Sequence, residues 1–280
     1  MDGLNGKELQ SDFISDMFKQ NVEYYKKIAG EEPEFDLLKL YFGEDYIVNE
    51  HIIIRQPTIQ NIIDMGEKEF YATIAPFTSN STSFRVQLWD MDIDWNEISD
   101  FQLFAMLIKT VSLEKTKILF GDIDWNSFDL LAKYDEQEDI AVPILYSQKH
   151  GFEIDEKTYL RIRKYLCFMF GIKLENEFCK GKALKEEIIS KARADMAKRE
   201  AEMKGSSLVQ MISFAVNHAG FKYKKQELRE VGYVEFLDSI KRLQIYESTR
   251  ALTQGSYSGF CDTSKIPKEE FNFMRDVTIS

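Results

Sequence analysis

The chain has 280 residues, of which 44% are hydrophobic and 30% charged, and its formal net charge is −11 at neutral pH. This composition predicts one large or two small globular domains with a soluble surface, rather than a disordered chain. The acidic charge disfavours general nucleic-acid binding, because contacts to phosphate need a positive face. No apolar run reaches the ~18 residues that a membrane span requires.

The cysteines are few and widely spaced, at Cys167, Cys179 and Cys261. They form neither a CxxC pair nor a cluster with histidine, so we expect no zinc site. An odd number of sparse cysteines is typical of a reducing compartment. The polar, acidic start of the chain lacks the pattern of a signal peptide. We therefore expect a cytoplasmic protein that carries no cofactor.

Residues 9–29 have apolar side chains at near-helical spacing and predict the first helix. Residues 46–55 are rich in β-branched side chains and predict a strand or a two-stranded ribbon. Residues 58–74 predict a second helix, weakened at Gly66 and ended by Pro76.

Residues 83–91 favour a helix, with a strand as the alternative. Residues 101–111 are almost wholly apolar and predict a buried helix, capped by Ser99 and Asp100.

A β-prone section follows and predicts a small antiparallel sheet. Its segments are residues 117–120, residues 128–130 and residues 139–146. Because proline has no backbone donor, Pro143 would place the last segment at an edge of the sheet.

Asp155 is placed to cap a helix over residues 156–170 that ends at Gly171. Residues 182–204 are dominated by charges and have few apolar positions. They predict either an exposed helix or a helical arm that folds against a partner.

Two amphipathic helices are predicted near the end of the chain, over residues 206–221 and 232–252. A glycine–serine loop (255–260) follows, and then a short helix from Ser264 through Met274.

The fold class predicted from these elements is α+β, predominantly α-helical with a small antiparallel β element. We expect an N-terminal α+β domain (1–180), a charged helical linker or arm (181–205) and a C-terminal helical region (206–280).

The pentapeptide DIDWN occurs twice, at residues 92–96 and 122–126. Its alternating polar side chains resemble the start of a calcium loop, which also needs glycine at its sixth position and a carboxylate at its twelfth. Those positions hold Glu97 and Leu103 in the first copy and Ser127 and Lys133 in the second. We interpret both copies as structural turns whose isoleucines and tryptophans pack inward, and we expect no bound metal.

No catalytic signature accompanies the residues that would carry one. The three histidines, His51, His150 and His218, have no acid–base motif beside them. The segment GSYSG has Tyr257 where a nucleophile elbow needs serine. Glycine-rich phosphate loops are absent from the sequence. The sequence therefore favours a protein that is not an enzyme and that works through contact surfaces.

Candidate partner-binding residues are aromatic, methionine and leucine side chains in the C-terminal part of the chain. They are Met203, Leu208, Met211, Tyr223, Leu237 and Tyr257. Trp89, Trp95 and Trp125 also flank charged stretches and look exposed in the sequence. An ordinary core position is the alternative for each of these side chains.

Three segments resemble a known family in their sequence and order: IIIRQPTIQNIIDMGEKEFYATIAPF (52–77), VQLWDMDIDWNEISDFQLF (86–104) and FKYKKQELREVGYVEFLDSIKRLQIYESTRALTQGSYSGF (221–260). The family is that of tail assembly chaperones of tailed phages that infect Firmicutes. The resemblance implies a non-enzymatic protein of the host cytoplasm, whose partners are the tape-measure protein or the tail-tube protein. The resemblance is also compatible with a homo-oligomer.

A chaperone of this kind would hold the tape-measure protein soluble while tube subunits polymerise around it. It needs a groove for amphipathic helices, for which residues 206–221 and 232–252 are the candidates, and the arm at 182–204 would allow that groove to open. Two alternatives remain. One is a structural adaptor of the neck, tail-completion or baseplate region that stays in the virion, and the other is a protein that binds a host factor.

Overall fold

The computed structural model describes residues 35–136, 139–202, 205–258 and 264–276. The predicted helix at residues 9–29 and the candidate residue Met203 lie outside these ranges.

The described residues are mainly helical and include two small antiparallel sheets, which confirms the predicted fold class. The α-helices are α1 (Leu37–Tyr41), α2 (Ile59–Met65), α3 (Glu67–Thr78), α4 (Arg85–Asp90), α5 (Asp100–Leu107), α6 (Leu113–Phe120), α7 (Glu156–Phe170), α8 (Lys182–Glu202), α9 (Ser207–Asn217) and α10 (Tyr233–Ser258). Short 3₁₀ turns cover Ile108–Thr110, Trp125–Ser127, Glu227–Arg229 and Lys268–Phe271.

The strands form a ribbon and a three-stranded sheet. The ribbon pairs β1 (Tyr46–Ile47) with β2 (Ile53–Ile54), which confirms the two-stranded alternative for residues 46–55. The second sheet has the order β3–β4–β5. Its strands are β3 (Asp129–Asp135), β4 (Ile140–Ser147) and β5 (Phe152–Ile154).

Pro143 lies in the central strand β4, so the prediction that this segment forms an edge was wrong. The short β5 pairs only with residues 145–147 of β4. At Pro143, where Ala132 of β3 is the partner, β4 therefore has a neighbouring strand on one side only. A missing backbone donor is tolerated at a position that is locally an edge.

Several helix boundaries differ from the prediction. Residues 117–120 end helix α6 instead of forming a strand, because Thr116, Leu119 and Phe120 are buried at helical spacing. Three consecutive apolar residues are too few for their periodicity to distinguish a helix from a strand. Pro76 lies inside α3, since the neighbouring Phe77 is fully buried and this packing outweighs the lost hydrogen bond.

The predicted loop at residues 255–260 begins as helix, because α10 continues through Ser258. Hydroxyl groups bond to carbonyl oxygens of the preceding turn there: Thr253 donates to Thr249 and Ser258 donates to Gly255.

Other predicted boundaries are confirmed. Gly66, at a φ of 88°, separates α2 from α3. The Asp155 carboxylate accepts from the Thr158 amide at 2.7 Å, and Gly171 ends α7 in the left-handed conformation.

The main hydrophobic core contains residues from both sides of the expected domain boundary at residue 205. Four rings form one aromatic cluster in which every pair except Phe104 and Phe120 is in ring contact, with centroids 4.7 to 6.0 Å apart: Phe77, Phe104, Phe120 and Trp125. Leu208, Ala215, Tyr233, Phe236 and Ile240 from the C-terminal part belong to the same cluster.

A second, smaller cluster joins helix α8 to the α4–α5 region. Ile189 and Ala192 of the charged helix are buried there against Trp95. Lys185 also forms an ion pair with Asp94. Most other side chains of α8 are exposed, so the helix is solvated over most of its surface and docked through one short stripe.

None of the helices in the described ranges combines the length and the apolar character that crossing a membrane requires.

The docking of α8 depends on its buried stripe, and the substitution Ile189→Asp tests this. A buried unpaired charge should release α8 from the second cluster while the main core stays folded. We expect tryptic cleavage within residues 182–202 to become at least several-fold faster. The control is Ser190→Asp, which places the same side chain at an exposed position of this helix and leaves every trypsin site in place. Equal cleavage rates in the two variants would contradict the docked arrangement.

Candidate interaction groove

An apolar groove of about 600 Å³ lies between α2 and α9. Six aliphatic side chains line most of it: Ile62, Ile63, Leu208, Val209, Ile212 and Val216. A concave, mainly aliphatic surface between two helices accepts the apolar face of a further helix or an extended apolar segment.

Of the two α2 side chains that line the groove, only Ile63 is exposed, because the other faces the core. Thr58 and Asn61 form a capping box that fixes the start of the helix. Ile59 and Ile62 point into the main core, whereas Ile63 remains 45% exposed. Ile63 therefore lies on the side of α2 that faces α9.

Helix α9 has apolar residues around most of its circumference. The Ser206 hydroxyl accepts from the Val209 amide at 2.9 Å and caps the helix. Leu208 and Ala215 are buried in the main core, but Val209 on another face is 63% exposed. A helix that is apolar on most sides is typical of a buried position. In the described part of the chain, other residues cover only part of the α9 surface.

Glu67 fastens the start of α9 to the start of α3. Its carboxylate accepts from the Ser207 hydroxyl at 2.5 Å and from the Leu208 amide at 3.0 Å. Burial by itself would raise the pKa of Glu67. Hydrogen bonds from Ser206, Ser207 and Leu208 outweigh burial and hold this pKa below its ordinary value. Glu67 is therefore held in its ionised form by hydrogen bonds from the start of α9.

The sequence candidates are only partly brought together. Leu208 lines the groove, while Met211 and Leu237 are half-buried against the main core. Tyr223 donates a hydrogen bond to Glu235, and Tyr257, 89% exposed, lies near the end of α10. Their role in binding a partner stays a prediction.

The groove uses α9 as expected, but its second wall is α2 and not the helix that contains residues 232–252. Sequence reasoning missed Ile63, Val209, Ile212 and Val216. The signal for the three α9 residues was the apolar character of that helix on more than one face, which exceeds what a single core contact needs. No local signal distinguished Ile63 from the other isoleucines of α2.

The DIDWN copies confirm the inward packing of their tryptophans and correct the idea that Trp95 and Trp125 are exposed. Trp95 is buried in the second cluster and Trp125 in the main core. Asp94 pairs with Lys185, and Asp124 pairs with Lys149 at 2.7 Å. Within the described ranges, no group of three or more histidine, cysteine or acidic residues is placed to hold a metal.

A second, smaller cavity of about 400 Å³ lies beside the ribbon and the tip of the β4–β5 hairpin. The His51 ring stacks on Phe152 with centroids 4.7 Å apart, and its Nε2 lies 3.3 Å from a Glu50 oxygen. The described residues that line this cavity include neither serine nor cysteine.

A half-buried polar cluster at the start of α7 contains the most strongly shifted carboxyl group of the described residues. Arg163 donates to Asp100 at 2.5 Å and to the Tyr159 hydroxyl at 3.2 Å. Glu156 lies nearby, and its Oε2 has no hydrogen-bond partner in the described part of the chain. Burial, reinforced by the Asp100 carboxylate, raises the pKa of Glu156 to about 8.

Shifted pKa values often mark functional sites, but structural ion-pair networks shift them as well. These residues do not line the groove, and Asp100 also accepts from the Ser81 amide. We interpret the cluster as the packed junction of α5 and α7.

No protein-family model matches the chain, and neither does any curated protein or solved structure.

The pKa of Glu156 predicts a pH-dependent stability. Because it is raised from 4.5 to about 8 in the folded state, folding favours the protonated acid. This contribution is complete below about pH 4.5 and is lost as the pH rises to about 8. Glu156→Gln removes the ionisation, so we expect the variant to melt about 5 °C above the parent at pH 8.5 and close to it at pH 5.

Melting curves between pH 5 and pH 8.5 measure this difference. The control is Glu187→Gln, at an exposed position of α8, which should leave the difference near zero at every pH. A Glu156→Gln effect that does not grow with pH would refute the assignment.

Proposed function

We propose that this protein is a non-enzymatic binding protein that holds the apolar face of a partner helix in the α2–α9 groove. The observation that carries the proposal is the aliphatic groove itself, in which Ile63 of α2 and Val209 of α9 remain 45% and 63% exposed. Covering such exposed apolar surface with a partner is favourable, because it removes the surface from water.

The dimensions of the groove fit a short helix. The 11 residues of α9 span about 16 Å at 1.5 Å per residue, which corresponds to about three helical turns. A partner helix of that length would place apolar side chains at positions i, i+4 and i+7 against the groove.

The biological role that we propose is assembly of a phage tail, with the tape-measure or tail-tube protein as the partner. The resemblance of residues 52–77, 86–104 and 221–260 to tail assembly chaperones supports this role, and the groove supplies a physical means for it. A net charge of −11 would also keep a complex with an aggregation-prone partner soluble.

Co-expression with the tape-measure protein of the same phage tests the proposal. We expect the protein to increase the soluble fraction of the tape-measure protein several-fold. The double variant Ile63→Asp/Val209→Asp should lose this effect, because a carboxylate in the groove must be desolvated when an apolar helix binds. Soluble and insoluble fractions are quantified by gel densitometry.

The matched control is Leu184→Asp, at an apolar helical position that is 47% exposed and lies outside the groove. It should behave like the parent. If the groove variant solubilised the tape-measure protein as well as the parent does, the groove would not be the binding site.

Purified virions separate a chaperone from a structural adaptor. An assembly chaperone leaves before maturation, so we expect mass spectrometry of virions to detect the tube and tape-measure proteins without this chain. Recovery of the chain in a fixed ratio to tail proteins would favour the structural adaptor.

A further inference from the structure

Helix α10 continues well beyond the last residue that it buries in the protein core. After Leu243, Thr249 is the one buried residue of this helix. We call residues 244–258 the distal part of α10. A helical segment of this length is marginally stable in water unless other parts of the protein pack against it.

The sequence of the distal part does not favour a helix at its end. Residues 253–258 read TQGSYS, and glycine, serine and threonine have lower helix propensity than alanine or leucine. For this reason we predicted a loop at residues 255–260, whereas α10 continues through Ser258. Contacts from outside the segment are therefore needed to stabilise its last turns.

Residues 264–276, which we call the strap, provide such contacts. The Thr249 hydroxyl donates to the Glu270 carbonyl at 3.0 Å. The rings of Tyr246 and Phe273 also lie against each other, with centroids 5.7 Å apart. The strap thus runs along the distal part of α10 and covers its one buried residue.

Arg275 bridges the strap and α10. Its guanidinium donates to the Thr249 hydroxyl at 2.7 Å and to the Ser248 hydroxyl at 3.0 Å. The same group donates to the Glu270 carbonyl at 2.7 Å and lies 3.1 Å from a Glu270 carboxylate oxygen. The Arg275 carbonyl accepts from Arg242 at 2.8 Å. A planar guanidinium with several donors is suited to joining groups on two segments.

The attachment of the strap is polar rather than apolar. Within residues 264–276, which the structure describes throughout, no residue is buried. Hydrogen bonds and an ion pair at the surface are individually weak. Segments held in this way open more readily than the core of a protein. The strap is therefore attached reversibly.

Helix α9 also contacts the distal part of α10. The Nε2 atom of His218 lies 3.2 Å from a carboxylate oxygen of Glu247. The Glu247 side chain is 49% exposed, so solvent screens this contact. It supports the distal part without replacing the contacts that the strap makes at Thr249.

We propose that the strap and the distal part of α10 form one conformational switch, which Arg275 holds closed. When the strap detaches, the distal part loses helical structure while the first half of α10 stays packed in the core. Tyr257, which is 89% exposed, lies in the distal part, so the strap controls whether this side chain is presented on an ordered helix. The switch is independent of the α2–α9 groove, because the described residues that line the groove belong to neither segment.

Hydrogen–deuterium exchange of the full chain, measured by mass spectrometry, tests the switch. The variant Arg275→Gln removes the bridging guanidinium. The matched control is Arg250→Gln, which removes the same charge from an exposed position of the distal part itself. Residues 233–243 of α10 serve as the internal reference.

We expect Arg275→Gln to speed exchange about three- to tenfold in residues 244–258 and in the strap, because it removes surface hydrogen bonds and an ion pair. Residues 233–243 should exchange as in the parent, and Arg250→Gln should resemble the parent in all three segments. Thr249→Val keeps the size of the side chain without the hydroxyl and should act in the same direction as Arg275→Gln.

The contrary outcomes have distinct meanings. Faster exchange in the strap without a change in residues 244–258 would refute the coupling between the two segments. If neither segment changes in Arg275→Gln and Thr249→Val, these contacts do not hold the strap closed. If residues 233–243 accelerate equally, α10 opens as one unit and a separate distal switch is refuted.

Discussion

The arrangement of the groove depends on a backbone bridge between two distant parts of the chain. The Tyr233 amide donates to the Pro57 carbonyl at 2.9 Å, and the Ile59 amide donates to the Val231 carbonyl at 3.1 Å. These bonds fix the start of α2 against the start of α10. The Tyr233 and Tyr71 hydroxyls, 2.9 Å apart, join the same region to α3. Because buried backbone groups must be paired, this bridge sets where α2 can lie.

Helix α9 is held by apolar burial along one face and by hydrogen bonds at its start. Leu208 and Ala215 are buried in the main core, and the Glu67 carboxylate holds the helix start. The groove is the space between α2, which the backbone bridge holds in place, and α9, which its buried residues hold against the core. Its shape is therefore built into the described part of the chain and does not require the partner to form it.

The sequence allowed the fold class and most helix starts to be predicted, because these depend on local signals such as the Ser99 and Asp155 caps. It failed where tertiary packing decides the outcome. Pro76 is accommodated inside a helix because Phe77 is buried. Pro143 is accommodated in the central strand because the neighbouring strand β5 is short and does not extend to it. The groove was predicted on one wall only, since the pairing of α9 with α2 depends on contacts between residues about 150 positions apart in the sequence.

The exposed apolar side chains of α9 favour self-association, and another property of the protein must oppose it. Val209 and Phe214 are exposed aliphatic and aromatic side chains, and exposed apolar surface promotes association between copies. Mutual repulsion at a net charge of −11 opposes that association. If α9 served only the fold, a polar residue at position 209 would leave the core contacts of Leu208 and Ala215 in place without this cost. A partner that covers Val209 in the groove would remove the cost, which is the physical reason for proposing a binding function.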